Sequence, residues 1–298
     1  MSYYDDEKNK IRRKKINSST SISNPLPNDK GYQNRKENNI RRDKKIKTEE
    51  NTRHKKKKAL KKKKRQMIIK NLLILFLICT IVLSCIGSVI TLSAIKGAPE
   101  VTKELINNSY VTNNFIRIKD MPDNLKNAIV SIEDERFYKH NGVDFISLSR
   151  SLIHNIVSKT TQGGSTIDMQ VSKNLLTSDD KTIKRKIRDI YNAMQMNKVM
   201  TKEEILEAYL NNIYLGKSAY GVENGAHLYF GKSVKDLSLA QCAMLVGITN
   251  NPARYMENAA AKTRQETVLY KMHQLGYITD SEYSSALDED VPFKSEIE

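Results

Sequence analysis

Two clusters in the chain combine residue types that can do chemistry. The first runs Ser131-Ile-Glu133-Asp134-Glu135-Arg136-Phe137-Tyr138-Lys139-His140-Asn141-Gly142-Val143-Asp144. Three successive acids leaving a helix-like stretch, followed by a histidine and a glycine turn, offer carboxylates for proton transfer. The same residues also describe a solvated helix end. The second cluster, Gln162-Gly163-Gly164-Ser165-Thr166-Ile167, is a glycine-bearing loop entering a helix-like segment that continues through Gln170 and Lys173. Unpaired N–H groups at such a helix start suit an anion, although a Gly-Gly-Ser run alone is an ordinary loop.

The elements that must hold these clusters read as helices. Leu125, Ile129 and Ile132 recur at helical spacing, as do Phe145, Leu148, Leu152 and Ile156, and again Ile183, Ile187, Ile190 and Met194. Thr201 to Glu204, Ser238 to Gln241 and Thr279 to Glu282 each match a capping box, in which a hydroxyl and a later side chain satisfy free N–H groups at a helix start. Strand-type alternation is scarce. The pattern predicts a mainly α domain from about residue 100 to 298, without internal repeats.

Taken in order, the clusters resemble the family-51 peptidoglycan glycosyltransferases, the module of class A penicillin-binding proteins and of monofunctional transglycosylases. Glu133, Asp134, Phe137, His140 and Gly142 match the family's Glu-Asp-x-x-Phe-x-x-His-x-Gly. Gly163 to Ile167, with Gln170, match its Gly-Gly-Ser-Thr-Ile and following glutamine. Arg185, Lys186 and Asp189 stand for its Arg-Lys-x-x-Glu. Glu204-Ile205-Leu206-Glu207-Ala208-Tyr209-Leu210-Asn211 matches the fourth segment, and Arg264, Val268, Leu269 and Met272 part of the fifth. The likeness covers about residues 115–285. None of the Ser-x-x-Lys, Ser-x-Asn and Lys-Thr-Gly set of a transpeptidase follows, so the monofunctional type is the expectation.

The resemblance implies a lysozyme-like domain of two lobes around a long cleft, one lobe dipping into the outer leaflet. The stripe from Phe145 to Ile156 falls where that lipid-contacting jaw would be, or else is a core helix. The implied reaction joins lipid II units into β-1,4 glycan strands with inversion and release of undecaprenyl diphosphate. Catalysis falls to Glu133, the base that takes the acceptor hydroxyl's proton, and to Asp189, in place of a second glutamate. Substrate binding falls to Asp134, Ser165, Thr166, Gln170, Lys173, Lys181 and Arg185. No cofactor is obligatory, and Asp189 is where a divalent cation, Mg or Mn, could bind. Glu207 and Asn211 are expected to hold the cleft together. Asp168 and Met169 stand where the family has Thr and Gln, which would remove an amide and bring a negative charge toward the diphosphate. Lys181 replaces an arginine, and an ammonium does not reproduce a planar bidentate fork.

Charge excludes a different class. Residues 1–66 hold 24 Lys/Arg against 8 Asp/Glu and residues 67–298 hold 26 of each, so the net +16 lies wholly in the tail. A neutral domain lacks the basic face that nucleic acid requires. The tail, residues 1–66, is too polar to offset its ordering entropy and is expected to be a disordered cytoplasmic segment. Asn71 to Ile95 is 25 residues without a charge, inside an expected membrane helix over 67–96. The Lys55–Arg65 cluster before it places the N-terminus inside and the remainder outside. A connector over 97–116, the catalytic domain over 117–290 and a short tail over 291–298 complete the division. Cys79, Cys85 and Cys242 form no disulfide or zinc pattern. The partners implied are lipid II, the growing glycan, membrane lipid and other cell-wall synthesis proteins. Two competing readings are a membrane-tethered scaffold, motivated by the departures at Asp168, Met169, Lys181 and Asp189, and a lysozyme-type hydrolase using Glu133 as acid.

Overall fold

The computed structural model describes residues 29–158, 163–177, 182–255 and 257–297. Lys181 and Gln162, and residues 1–28 of the tail, lie outside them. Residues 1–81 and 82–298 form separate units.

Helix α1, Asp29–Ile95, contains a stretch long and apolar enough to cross a membrane, and its apolar side chains, Leu72, Phe76 and Leu83 among them, are exposed. Such a surface needs an apolar medium to cover it. Residues 29–66 are helical and continuous with the apolar stretch. No Gly or Pro lies between Gly31 and Gly87. The Lys, Arg, Glu and Gln residues of the tail are good helix formers. An apolar helix already formed supplies the nucleus from which propagation costs little.

The second unit is mainly α, and its one β feature among the described residues is an isolated bridge, Tyr214 to Tyr220. After α2 (Lys103–Asn108) come α3 (Asp123–Glu133), α4 (Phe145–Val157), α5 (Ile167–Leu175), α6 (Ile183–Val199) and α7 (Lys202–Asn212). Then follow α8 (Val222–Phe230), α9 (Leu239–Ile248), α10 (Asn258–Gln274), α11 (Asp280–Asp288) and the short α12 (Lys294–Ile297). Helix α9 is apolar nearly all round and buried from Cys242 to Ile248, so it forms the centre on which α3, α8, α10 and α11 pack. Helix α5 packs on α6 and α7. All three expected capping boxes are present, at α7, α9 and α11.

Polar residues of α7 clamp the segment before α3. Asn211 Nδ2 donates to the Ile116 carbonyl while its Oδ1 accepts from Ile116 N–H, and Glu207 Oε2 accepts from Ile118 N–H at 2.6 Å. Glu207 and Asn211 thus brace the fold, as expected. Two apolar stripes behave differently from the stripe of α3, whose Leu125 and Ile129 are buried. On α6, Ile183 and Met194 are exposed. On α4, Phe145, Ile146, Leu152, Ile153, Ile156 and Val157 are all more than 60% exposed. The α4 stripe is therefore not a core helix of this chain.

Candidate active site

Glu133 is the last residue of α3, and Asp134 leaves the helix at φ −156°, ψ 74°, so two adjacent carboxylates point into different surroundings. Gln170 Nε2 donates to Glu133 Oε2 at 2.8 Å, and the Tyr209 hydroxyl lies 3.4 Å from Gln170 Oε1 as its donor. Burial, and then the Glu133 charge, push the Tyr209 phenol well above its usual range. Tyr209 therefore stays protonated and orients the Gln170 amide so that its N–H faces the carboxylate. The other Glu133 oxygen has no protein partner among the described residues, and the side chain lines a cleft of about 610 Å³.

Asp134 is buried and committed. His140 Nε2 sits 3.0 and 3.1 Å from its two oxygens, and Ile167 N–H donates to Oδ2 at 3.1 Å, which ties the end of α3 to the start of α5. Thr166 caps α5 by accepting from Met169 N–H, and its hydroxyl donates to the Gly142 carbonyl at 2.7 Å. Gly142 adopts φ +95°, and a Cβ there would run into the Ala193 carbonyl of α6. Backbone conformation and space both demand glycine.

Cations enter from two walls. On the α5–α6 wall, Lys173 lines the cleft and Lys186 Nζ donates to Ser165 Oγ at 2.5 Å. Burial lowers the Lys186 ammonium's pKa, with Asp189 opposing and the Arg185 and Lys173 charges adding to the depression. On the opposite wall Arg264 and Lys271, seven residues apart on one face of α10, line the cleft with Asn250. Arg264 Nε is buried without a partner. Gly247 leaves the room this side chain needs, since a Cβ there would stand 3.0 Å from Arg264 Cγ.

Of the residues singled out from sequence, Glu133, Asp134, Ser165, Thr166, Gln170 and Lys173 line one cleft. Arg185 and Asp189 stand outside its lining. Asp189 is buried, its Oδ1 accepting from the Ser172 and Thr177 hydroxyls at 3.0 and 2.9 Å, with Arg185 Nε 3.9 Å from Oδ2. Burial raises its carboxyl pKa against those hydrogen bonds and the neighbouring cations. Arg150, Asn250 and Lys271 were missed. The signal for Lys271 was its helical spacing from Arg264, whereas Arg150 and Asn250 carry none in one sequence.

The expectation that Asp168 brings negative charge toward the diphosphate does not hold. On α5 residues 168 and 170 point about 200° apart, so Gln170 faces the cleft while Asp168 turns inward. There it is fully buried and engaged by Asn197 Nδ2 and by Lys202 Nζ at 3.1 Å. Lys202 also lies over the Phe137 ring, 4.4 Å from its centre. Met169 packs with Val143 and Ala193. Both departures are interior repacking, with the carboxylate neutralised.

Three metal-capable side chains, Asp134, His140 and Asp168, bring ligand atoms within 4.8 Å of one another. They do not fit a divalent cation. The Lys202 ammonium already stands against Asp168, and Asp134 is occupied by His140 and the Ile167 N–H. At Asp189 the neighbours are two hydroxyl donors and a guanidinium, which supply no further anionic ligand.

Comparison with known proteins identifies the family. A family model described as Transglycosylase matches residues 99–273. Penicillin-binding protein 1A of Clostridium botulinum is 45% identical over 182 residues, which are 57% of this chain and 22% of that protein. A protein of Cupriavidus necator whose name gives it provisionally as a transglycosylase is 43% identical over 181 residues, 59% of this chain and 78% of its own length. A crystal structure of penicillin-binding protein 1A from Haemophilus influenzae aligns at 24% identity and a TM-score of 0.37, covering 61% of this chain and 18% of that one. The chain thus spans about a fifth of the length of its penicillin-binding relatives and most of the Cupriavidus protein. With more than half of its residues matched by the family model, the protein belongs to the transglycosylase family.

Proposed function

We propose that this protein is an inverting peptidoglycan glycosyltransferase that polymerises lipid II into β-1,4 glycan strands and releases undecaprenyl diphosphate. The observation that carries the reading is Glu133. Its carboxylate is held on one oxygen by Gln170 and open on the other, in a cleft with cations on two walls. The free oxygen takes the proton of the acceptor's 4-hydroxyl. The acceptor oxygen bonds to C1 of the donor sugar, and the C1–O bond to the diphosphate breaks on the opposite face. The departing diphosphate gains negative charge, which Lys173 on one wall and Arg264 and Lys271 on the other are suited to stabilise, with Lys186 behind Ser165 adding to the positive field. Asp189 holds α6 and its cations in place.

Asp168 weighs against the scaffold reading, since its charge is neutralised inside the domain. Purified full-length protein supplied with lipid II is expected to form glycan polymer. A scaffold would form none, and a hydrolase would only cut finished glycan.

In this reading α1 crosses the membrane once with the basic tail in the cytoplasm, and the exposed stripe of α4 enters the outer leaflet. Protease added to intact, wall-stripped cells is expected to digest residues beyond about 100 and spare the tail. Protection of the domain would reverse the topology.

A further inference from the structure

One contact on α6 serves neither the cleft lining nor the core. Arg188 Nε and Nη2 both donate to the Ala94 carbonyl, at 3.0 and 2.8 Å. Ala94 lies in the last turn of α1 and is 1% exposed. The final carbonyls of a helix have no partner within it. Here Lys96 N–H bonds to Leu92 and Ala98 N–H to Ile95, while the Ala94 carbonyl receives Arg188. A guanidinium at a helix C-terminus also meets the negative end of the helix dipole. The described residues give Arg188 no carboxylate partner, so the carbonyl is its one anchoring point there.

The position of Arg188 on α6 gives the contact its meaning. Residues 186 and 188 of a helix point about 200° apart. Helix α6 therefore presents Lys186 to Ser165 on the cleft side and Arg188 to the end of α1 on the other. Asp189, one residue on, fastens the same helix to Ser172 and Thr177. The last turns of α1, from Val82, belong to the same unit as α6.

We infer that Arg188 is a positioning residue that holds the cationic face of α6 at a set height from the end of the membrane helix. The inference rests on the proposed lipid-linked substrate. The tail of such a substrate lies in the bilayer, so its diphosphate is presented at a fixed depth, and the cations that receive it must stand at that depth. Arg188 supplies the side-chain hydrogen bonds between α6 and the end of α1, and a shift of about 1 Å in a positioning element can cost a factor of about 10².

The test uses full-length protein in liposomes with a long-tailed substrate in the same bilayer, and in parallel a short-tailed substrate dispersed in detergent. Arg188→Ala is expected to lower kcat/KM for the bilayer substrate about tenfold or more, and to leave that for the short-tailed substrate within about twofold. Arg188→Lys, which keeps one donor, should recover part of the loss. Equal losses on both substrates, or none on either, would overturn the inference. Hydrogen exchange supplies a readout independent of turnover: amides of residues 183–190 should exchange faster in Arg188→Ala than in the parent. Unchanged exchange there overturns the latch whether or not the parent polymerises. An inactive parent with the exchange difference intact would count against the proposed function alone.

Discussion

Asp134→Ala is expected to destabilise the domain by about 3 kcal/mol, because it leaves two buried donors, His140 Nε2 and the Ile167 N–H, without an acceptor, at about 1–3 kcal/mol for each. For a domain of this size that is a fall of roughly 6–12 °C in the thermal midpoint, measurable on the full chain in detergent. Asp134→Asn should fall between the two forms. It keeps one carbonyl acceptor but turns an amide N–H₂ toward one of the two donors. The neighbouring Glu135→Gln should be close to neutral, since Glu135 is partly exposed and bonded to the adjacent Arg136 at 3.1 Å. A midpoint for Asp134→Ala within about 2 °C of the parent would mean that the carboxylate is not the tie between α3 and α5 described above.

The contrast between Glu133 and Asp134 explains how far the sequence could be read. The helical elements were legible because caps and periodicity are local. The three capping boxes lie where the hydroxyl and acid spacings put them. The frame of the site was legible as a set of residue types, but that Glu133 keeps an open oxygen while Asp134 is tied to His140 and Ile167 depends on the turn of the backbone at Asp134, which spacing does not reveal. Asp168 was misread for a related reason. Its charge suggested an effect on the ligand, yet the helical angle between 168 and 170, together with a lysine 34 residues away, decides that it lies inside. Apolar spacing was ambiguous in the same way. Leu125 and Ile129 on α3 are core, whereas Phe145, Leu152 and Ile156 on α4 have the same spacing and face outward. Periodicity says that one face is apolar, and only the tertiary contacts say what covers it.

Polymerisation of lipid II by Glu133→Gln, measured beside the parent and Glu135→Gln, tests the central claim most directly. Glutamine keeps the size of the side chain and can still accept the Gln170 amide N–H, so the fold and the cleft should persist. It cannot take a proton at neutral pH. Loss of a positioned general base typically lowers the rate by a factor of about 10²–10⁴, or roughly 3–5 kcal/mol of barrier. The account predicts a fall of that size in kcat, a thermal midpoint near that of the parent, and donor binding nearly intact, with Glu135→Gln close to normal. Near-normal polymerisation by Glu133→Gln would contradict the account, and the roles assigned to Gln170 and Tyr209 behind it would fall with it.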